Sequence, residues 1–233
     1  MGELSEVIIP IGGVLDITGE VVMMMLIVAV IAVISLIAGR SLKERPGRLQ
    51  NVIETGLESL DGFFSDLLGS AKARKYYYFL ASMFIFIIFS NYSGLIPGVG
   101  LTKYIKAPTS SLSVTAGLGI MSFLFLQISA LRHNTRHYLK HFVSPIVIML
   151  PLMLLDEIVK PVSLSLRLFG NIFGEETVTE KLYEILPIGA PLLMMVLSLL
   201  FCAIQAIVYT MLVSLYLSEA TEDVNNLFRI NKR

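Results

Sequence analysis

Arg167 stands in the stretch SLSLRLFGN, where Lys160 is the only other Lys or Arg between Phe142 and Glu180. A guanidinium keeps its proton in any protein environment, so burial cannot neutralise it. Holding it at membrane depth costs at least about 2.5–3.5 kcal/mol, and an intramembrane charge is by default a functional group. At about 100° per residue, Asp156, Lys160, Ser163 and Asn171 all lie within about 40° of Arg167's direction on a helix. Glu176 points nearly opposite, and Glu175 lies between. Farther along, Ser198, Cys202, Gln205, Tyr209 and Tyr216 form a second, uncharged polar stripe. Lipid tolerates neither face, so both read as wet paths or as surfaces packed on protein. A permanent cation near carboxyls, amides and hydroxyls can repel, hold and pass on small cations.

That inventory makes no covalent chemistry. There is no Gly-rich phosphate loop, Ser–His–Asp set, CxxC pair or nucleic-acid patch. The chain is expected to have no active site of its own and to bind no cofactor, nucleotide or nucleic acid. His133, His137 and His141 have a spacing that suits zinc, but no Cys or acid flanks them in their basic connector. An interfacial role is expected there and no metal site. Asp156 and Lys160 suit a structural pairing at i, i+4 or a place at the interface. For the glutamates Glu175, Glu176 and Glu180, marking the end of a helix is the plain alternative to an ion path.

Composition says what must position these groups. The chain has 233 residues, 55% hydrophobic and 15% charged, with mean hydropathy +0.76. Soluble domains carry roughly 25% charged residues, so this composition is that of an integral membrane protein. The single cysteine, Cys202, excludes an intramolecular disulfide. Residues 1–20 hold four acids and no Lys or Arg, the reverse of a cleaved signal's leading region. The apolar runs predict one all-α membrane domain over 1–233, with an outer N-terminus at 1–20. Membrane helices are expected at 21–39, 76–96, 112–131, 142–182 and 187–218, and a cytoplasmic tail at 219–233. Thirteen basic residues in 40–75, 132–141 and the tail face two, Lys103 and Lys106, on the other side. The positive-inside rule then puts the N-terminus outside and the C-terminus in the cytoplasm.

Residues 47–68 follow another pattern. Leu49, Val52, Ile53, Leu57, Leu60, Phe63, Phe64 and Leu67 recur at helical spacing opposite Glu54, Glu58, Asp61 and Asp66. This suits an amphipathic helix along the cytoplasmic interface, or one packed on a partner. The last two helices exceed a bilayer: 41 residues would extend about 60 Å against about 30 Å of hydrocarbon. Tilt or bending must absorb the excess, with Pro151 and Pro161 as places to bend. Pro187, Gly189 and Pro191 mark the turn of a long slanted hairpin.

KPVSLSLRLFGNIFGEE (160–176) resembles the signature of subunit a of F-type ATP synthases. NYSGLIPG (91–98), PTSSLSVT (108–115) and IQAIVYTMLVSLYLSEA (204–220) agree with that family in order and position. The resemblance covers most of the chain after residue 40. It implies a non-catalytic stator subunit of a rotary motor, with its tilted hairpin against the c-ring and with peripheral-stalk b subunits and lipid as neighbours. Arg167 would match the family's essential arginine, which faces the ring's carboxylates. Asn171 and Gln205 would match polar residues beside it, and Glu176 a carboxyl lining an outer half-channel. Ser198 stands where some members carry His or Glu. Glu175 replaces a small residue of several relatives and is placed to substitute for that missing partner. Met153 stands where many bacterial members have Glu, and Asp156–Glu157 looks more like the chloroplast pattern. An inner half-channel is expected near Asp156, Glu157 and Lys160. Protons are the expected coupling ion and sodium the alternative. A stand-alone secondary transporter would need inverted repeats with paired broken helices, which the sequence lacks; a purely structural scaffold is the third reading. A bacterial plasma membrane is the expected location.

Overall fold

A computed structural model describes residues 7–9, 17–40, 47–95, 107–143, 150–185 and 189–221. Lys103, Lys106, Pro187, the end of NYSGLIPG and the tail beyond Thr221 lie outside the described residues, as do the side chains of Pro151, Met153 and the three histidines.

Among the described residues, six α-helices make the fold: α1 (Gly19–Arg40), α2 (Arg48–Leu68), α3 (Ser70–Ser93), α4 (Leu112–Val143), α5 (Leu150–Ile185) and α6 (Gly189–Ala220). A 3-10 turn, Pro108–Ser110, precedes α4. The all-α class expected from the sequence is the one found, with one small addition. Two short strands, β1 (Val7–Ile9) and β2 (Ile17–Thr18), pair antiparallel just before α1. Among the described residues, three helices are long and apolar enough to cross a membrane: Gly19–Arg40, Leu112–Arg132 and Leu192–Ala220.

The helix boundaries differ from the sequence reading at several places. α4 runs on through the basic connector to Val143, because RHNTRHYLKH contains no Gly or Pro to stop it. α3 begins at Ser70, ahead of the apolar run, since SAKARK is a good helix-forming lead. α5 stays helical through Pro161. The Ser165 hydroxyl donates to the Pro161 carbonyl at 2.8 Å. Gly189 and Pro191 lie inside the first turn of α6 instead of in the connection, where a proline's missing N–H has no helical partner to lose.

The core lies where α3, α4, α5 and α6 meet, around Leu80, Ile87, Leu164, Leu168, Tyr209 and Val213, all at most 2% exposed. α2 joins it through Phe64 and Leu68. A single residue, Gly69, separates α2 from α3. Its φ of +80° is a conformation that side chains with a Cβ rarely adopt, which lets the chain reverse there. α4 and α5 approach closely at Gly119: a Cβ there would meet the Ser165 hydroxyl and come within 2.8 Å of the Pro161 carbonyl. α1 stands apart, with Ile27 its only buried residue among those described.

Candidate ion-path site

α5 and α6 run antiparallel, and their polar contacts fix the register. Lys160 reaches Glu219, Asn171 reaches Gln205, and Glu175 reaches Cys202, so α6 numbers fall as α5 numbers rise. The polar stripe of α6 faces inward: Ser198, Cys202, Gln205 and Tyr209 are each at most 3% exposed. The stripe therefore lies inside the subunit and not on its lipid-facing surface. Tyr209 closes against α4 through a 3.0 Å hydrogen bond with Ser122.

Arg167 sits elsewhere. Its neighbours fall about 100° to either side on the helix. Leu166 on one flank is 53% exposed, whereas Leu168 on the other is fully buried. Arg167 is thus on the rim of an open apolar face that includes Leu155, Ile158, Val159, Val162 and Phe173. Its own side chain is exposed and makes no hydrogen bond or ion pair among the described residues. One turn on, Asn171 Nδ2 donates to Gln205 Oε1 at 2.6 Å, bridging the two helices.

Glu175 and Glu176 diverge as their 100° separation requires. The half-buried Glu175 carboxylate turns to α6, where it lies beside Ser198 and accepts a hydrogen bond from the Cys202 thiol at 3.8 Å. Glu176 turns to the end of α3, its Oε1 lying 3.9 Å from where a Cβ on Gly94 would stand. Ser198 thus lies beside Glu175.

Several residues to which the sequence reading gave no role gather here from distant segments. Asn91 of α3 donates to the Cys202 carbonyl at 3.4 Å, and the Tyr92 hydroxyl donates to the Leu199 carbonyl at 3.4 Å. Ala107, beside the 3-10 turn, packs with Ile172 and Cys202. Ser90 Oγ, Asn91 Oδ1, Thr109 Oγ1 and Gln205 Nε2 are buried polar atoms with no protein partner among the described residues. Buried polar atoms are nearly always satisfied, and water is the usual partner where protein supplies none. The signal in the sequence was an Asn inside an otherwise apolar run and a Thr after a proline, neither of them specific.

At the other end of the hairpin, Lys160 is pinned. Its ammonium lies 3.2 Å from both Glu157 and Glu219 and 5.2 Å from the centre of the Tyr216 ring. Gln127 of α4 donates to Glu157 at 2.9 Å, so one cluster ties α4, α5 and α6. Of the two alternatives for Lys160 and Asp156, the i, i+4 pairing is not formed, since Lys160 pairs with Glu157 and Glu219. Asp156 is exposed, with no ion pair among the described residues.

The sequence of the chain matches known proteins. The sequence profile described as "ATP synthase A chain" matches residues 21–218. ATP synthase subunit a of Moorella thermoacetica is 39% identical over 183 residues, covering 78% of this chain and 81% of its own length. The subunit a of Trichlorobacter lovleyi is 35% identical, covering 85% of each chain. That of Geobacter sulfurreducens is 34% identical, covering 86% of each.

Proposed function

The chain belongs to the ATP synthase A chain family, and from that premise we propose that it is the membrane stator of an F-type motor, coupling proton flow to rotation of a c-ring. All five long helices other than α2 cross the membrane, with the N-terminus outside and the C-terminus in the cytoplasm of a bacterium. The α5–α6 hairpin lies tilted against the ring, b subunits and lipid cover other faces, and nucleotide is bound elsewhere in the complex. α5 and α6, at about 54 and 48 Å for 36 and 32 residues, fit a ~30 Å hydrocarbon layer only when tilted.

The observation that carries the proposal is the placing of Arg167. A cation that cannot be discharged stands at the edge of an open apolar face, where an apolar ring of helices bearing carboxylates would pack. Opposite Arg167 a ring carboxylate is favoured in its ionised form, so it must give up its proton on arrival. The same charge repels a cation that would otherwise cross directly. Protons reach the ring through an outer half-channel of Glu176, Glu175, Ser198, Gln205 and Asn171. The orphaned polar atoms of Ser90, Asn91, Thr109 and Gln205 support a wet path on that side. Discharge runs through an inner half-channel at Asp156, Glu157 and Lys160. One charge moved through 100 mV supplies about 2.3 kcal/mol, so several are needed per ATP.

Sodium is the alternative coupling ion, since Ser198 brings no second titratable group to Glu175. ATP hydrolysis by the whole complex in sealed vesicles, near neutral pH, separates the two. The proposal predicts acidification of the lumen and no stimulation by millimolar sodium. Stimulation by sodium, with no acidification, overturns the choice of proton.

A further inference from the structure

A cleft of about 1170 Å³ opens between α1, α2 and α3, and the ion path does not use it. Its walls are apolar: Ile31 and Ala38 from α1, Ile53 and Leu60 from α2, Phe84 and Phe89 from α3. It explains a feature the amphipathic pattern of α2 left unassigned. The α2 face bearing Ile53, Leu57, Leu60 and Phe63 forms one side of this cleft; Leu60 and Phe63 also pack against the core, in which Phe64 and Leu68 are buried.

Depth and charge identify an occupant. Along α1 the lining runs from Ile31 to Gly39. That is about 12 Å of helix rise, close to one leaflet's share, about 15 Å, of the hydrocarbon layer. A crossing helix from another subunit would need a groove over the full thickness, whereas acyl chains need one leaflet. At the end where Gly39, Gly47 and Gln50 line the cleft stand Arg40 and Arg48, both exposed. They adjoin the lining residues Gly39 and Gly47, beside which the phosphate of a lipid seated in the cleft would stand. The acid in the lining, Glu54, already accepts a hydrogen bond from Gln50 at 2.8 Å.

We infer that this cleft is a binding site for one diacyl phospholipid, its acyl chains between α1, α2 and α3 and its phosphate held by Arg40 and Arg48. The lipid would fill the space that leaves α1 nearly unburied and would fasten that helix to the bundle.

The intact complex, carrying benzoylphenylalanine at Ile53 and reconstituted in nanodiscs of phosphatidylglycerol and phosphatidylcholine, gives the test. After illumination, the mass of this chain is expected to rise by one phospholipid. A cross-link to another subunit, or no adduct, overturns the inference. A Cβ on Gly56 meets nothing within 4 Å, so Gly56→Leu projects a side chain into the cleft without a backbone clash. That variant is expected to abolish the adduct while ATP hydrolysis is kept. Replacing Arg40 and Arg48 by Ala is expected to lower the phosphatidylglycerol adduct about thirtyfold, the effect of two surface cations. An undiminished adduct in either variant contradicts the site.

Discussion

Arg167→Ala is expected to bring coupled proton transport and ATP synthesis to background while the complex assembles normally. Assembly survives because the side chain is exposed and makes no hydrogen bond or ion pair with the subunit's described residues. The loss follows from the charge alone. Two unit charges about 4 Å apart at an effective dielectric near 20 interact by about 4 kcal/mol. Removing that attraction shifts the ionisation of a facing carboxylate by roughly three orders of magnitude. A ring carboxylate then passes the stator still protonated, and rotation no longer depends on which side the proton came from. Arg167→Lys is expected to fail as well, because an ammonium at membrane depth lowers its pKa and can lose its proton, which a guanidinium does not. Acidification and ATP synthesis in vesicles, with subunit composition checked on a gel, measure both. Retained synthesis in Arg167→Ala would leave only a scaffolding role.

The second large effect is expected at Glu175. Its carboxylate is the group on which the Ser198 hydroxyl and the Cys202 thiol converge. As a proton relay, it would contribute on the order of 10²–10⁴ to the transfer rate. Glu175→Gln keeps the size and most hydrogen bonds but cannot carry the proton, so ATP-driven acidification is expected to fall about a hundredfold, the low end of that range. Ser198→Ala is expected to have a much smaller effect, since Cys202 still faces the carboxylate. If Glu175→Gln acidified vesicles at the native rate and Glu176→Gln did not, the relay would run through Glu176 alone.

The contrast between these two sites shows what a sequence carries and what it withholds. Arg167, Asn171 and Lys160 share a helix face because spacing along one helix fixes direction, and that much was readable. The inward stripe of α6 was readable for the same reason. Which residue of α5 meets which residue of α6 depends on register and rotation between helices, which no single-helix pattern contains. So Ser198 was expected beside Glu176 and is found against Glu175, and Lys160 takes Glu157 and Glu219 instead of Asp156. Asn91 and Thr109 were hidden for a further reason. They reach the site from 111 and 96 residues before Cys202 and Gln205, and only the folding of α3 and the 3-10 turn onto the hairpin collects them. The helix continuing through 132–143 was missed because charge marked a connector there, although charge does not end a helix. The β1–β2 pair is too short to leave an alternating pattern.

Disulfide trapping between this chain and the ring tests the central claim most directly. In a Cys202→Ser background, single cysteines at Val162 and Leu166, about half exposed on the open face, and at the buried Leu164 and Leu168 would be oxidised against a cysteine one turn from the ring carboxylate. The account predicts cross-links from Val162 and Leu166 and none from Leu164 or Leu168. Absence of any cross-link from the Arg167 face, with the complex assembled, would contradict it.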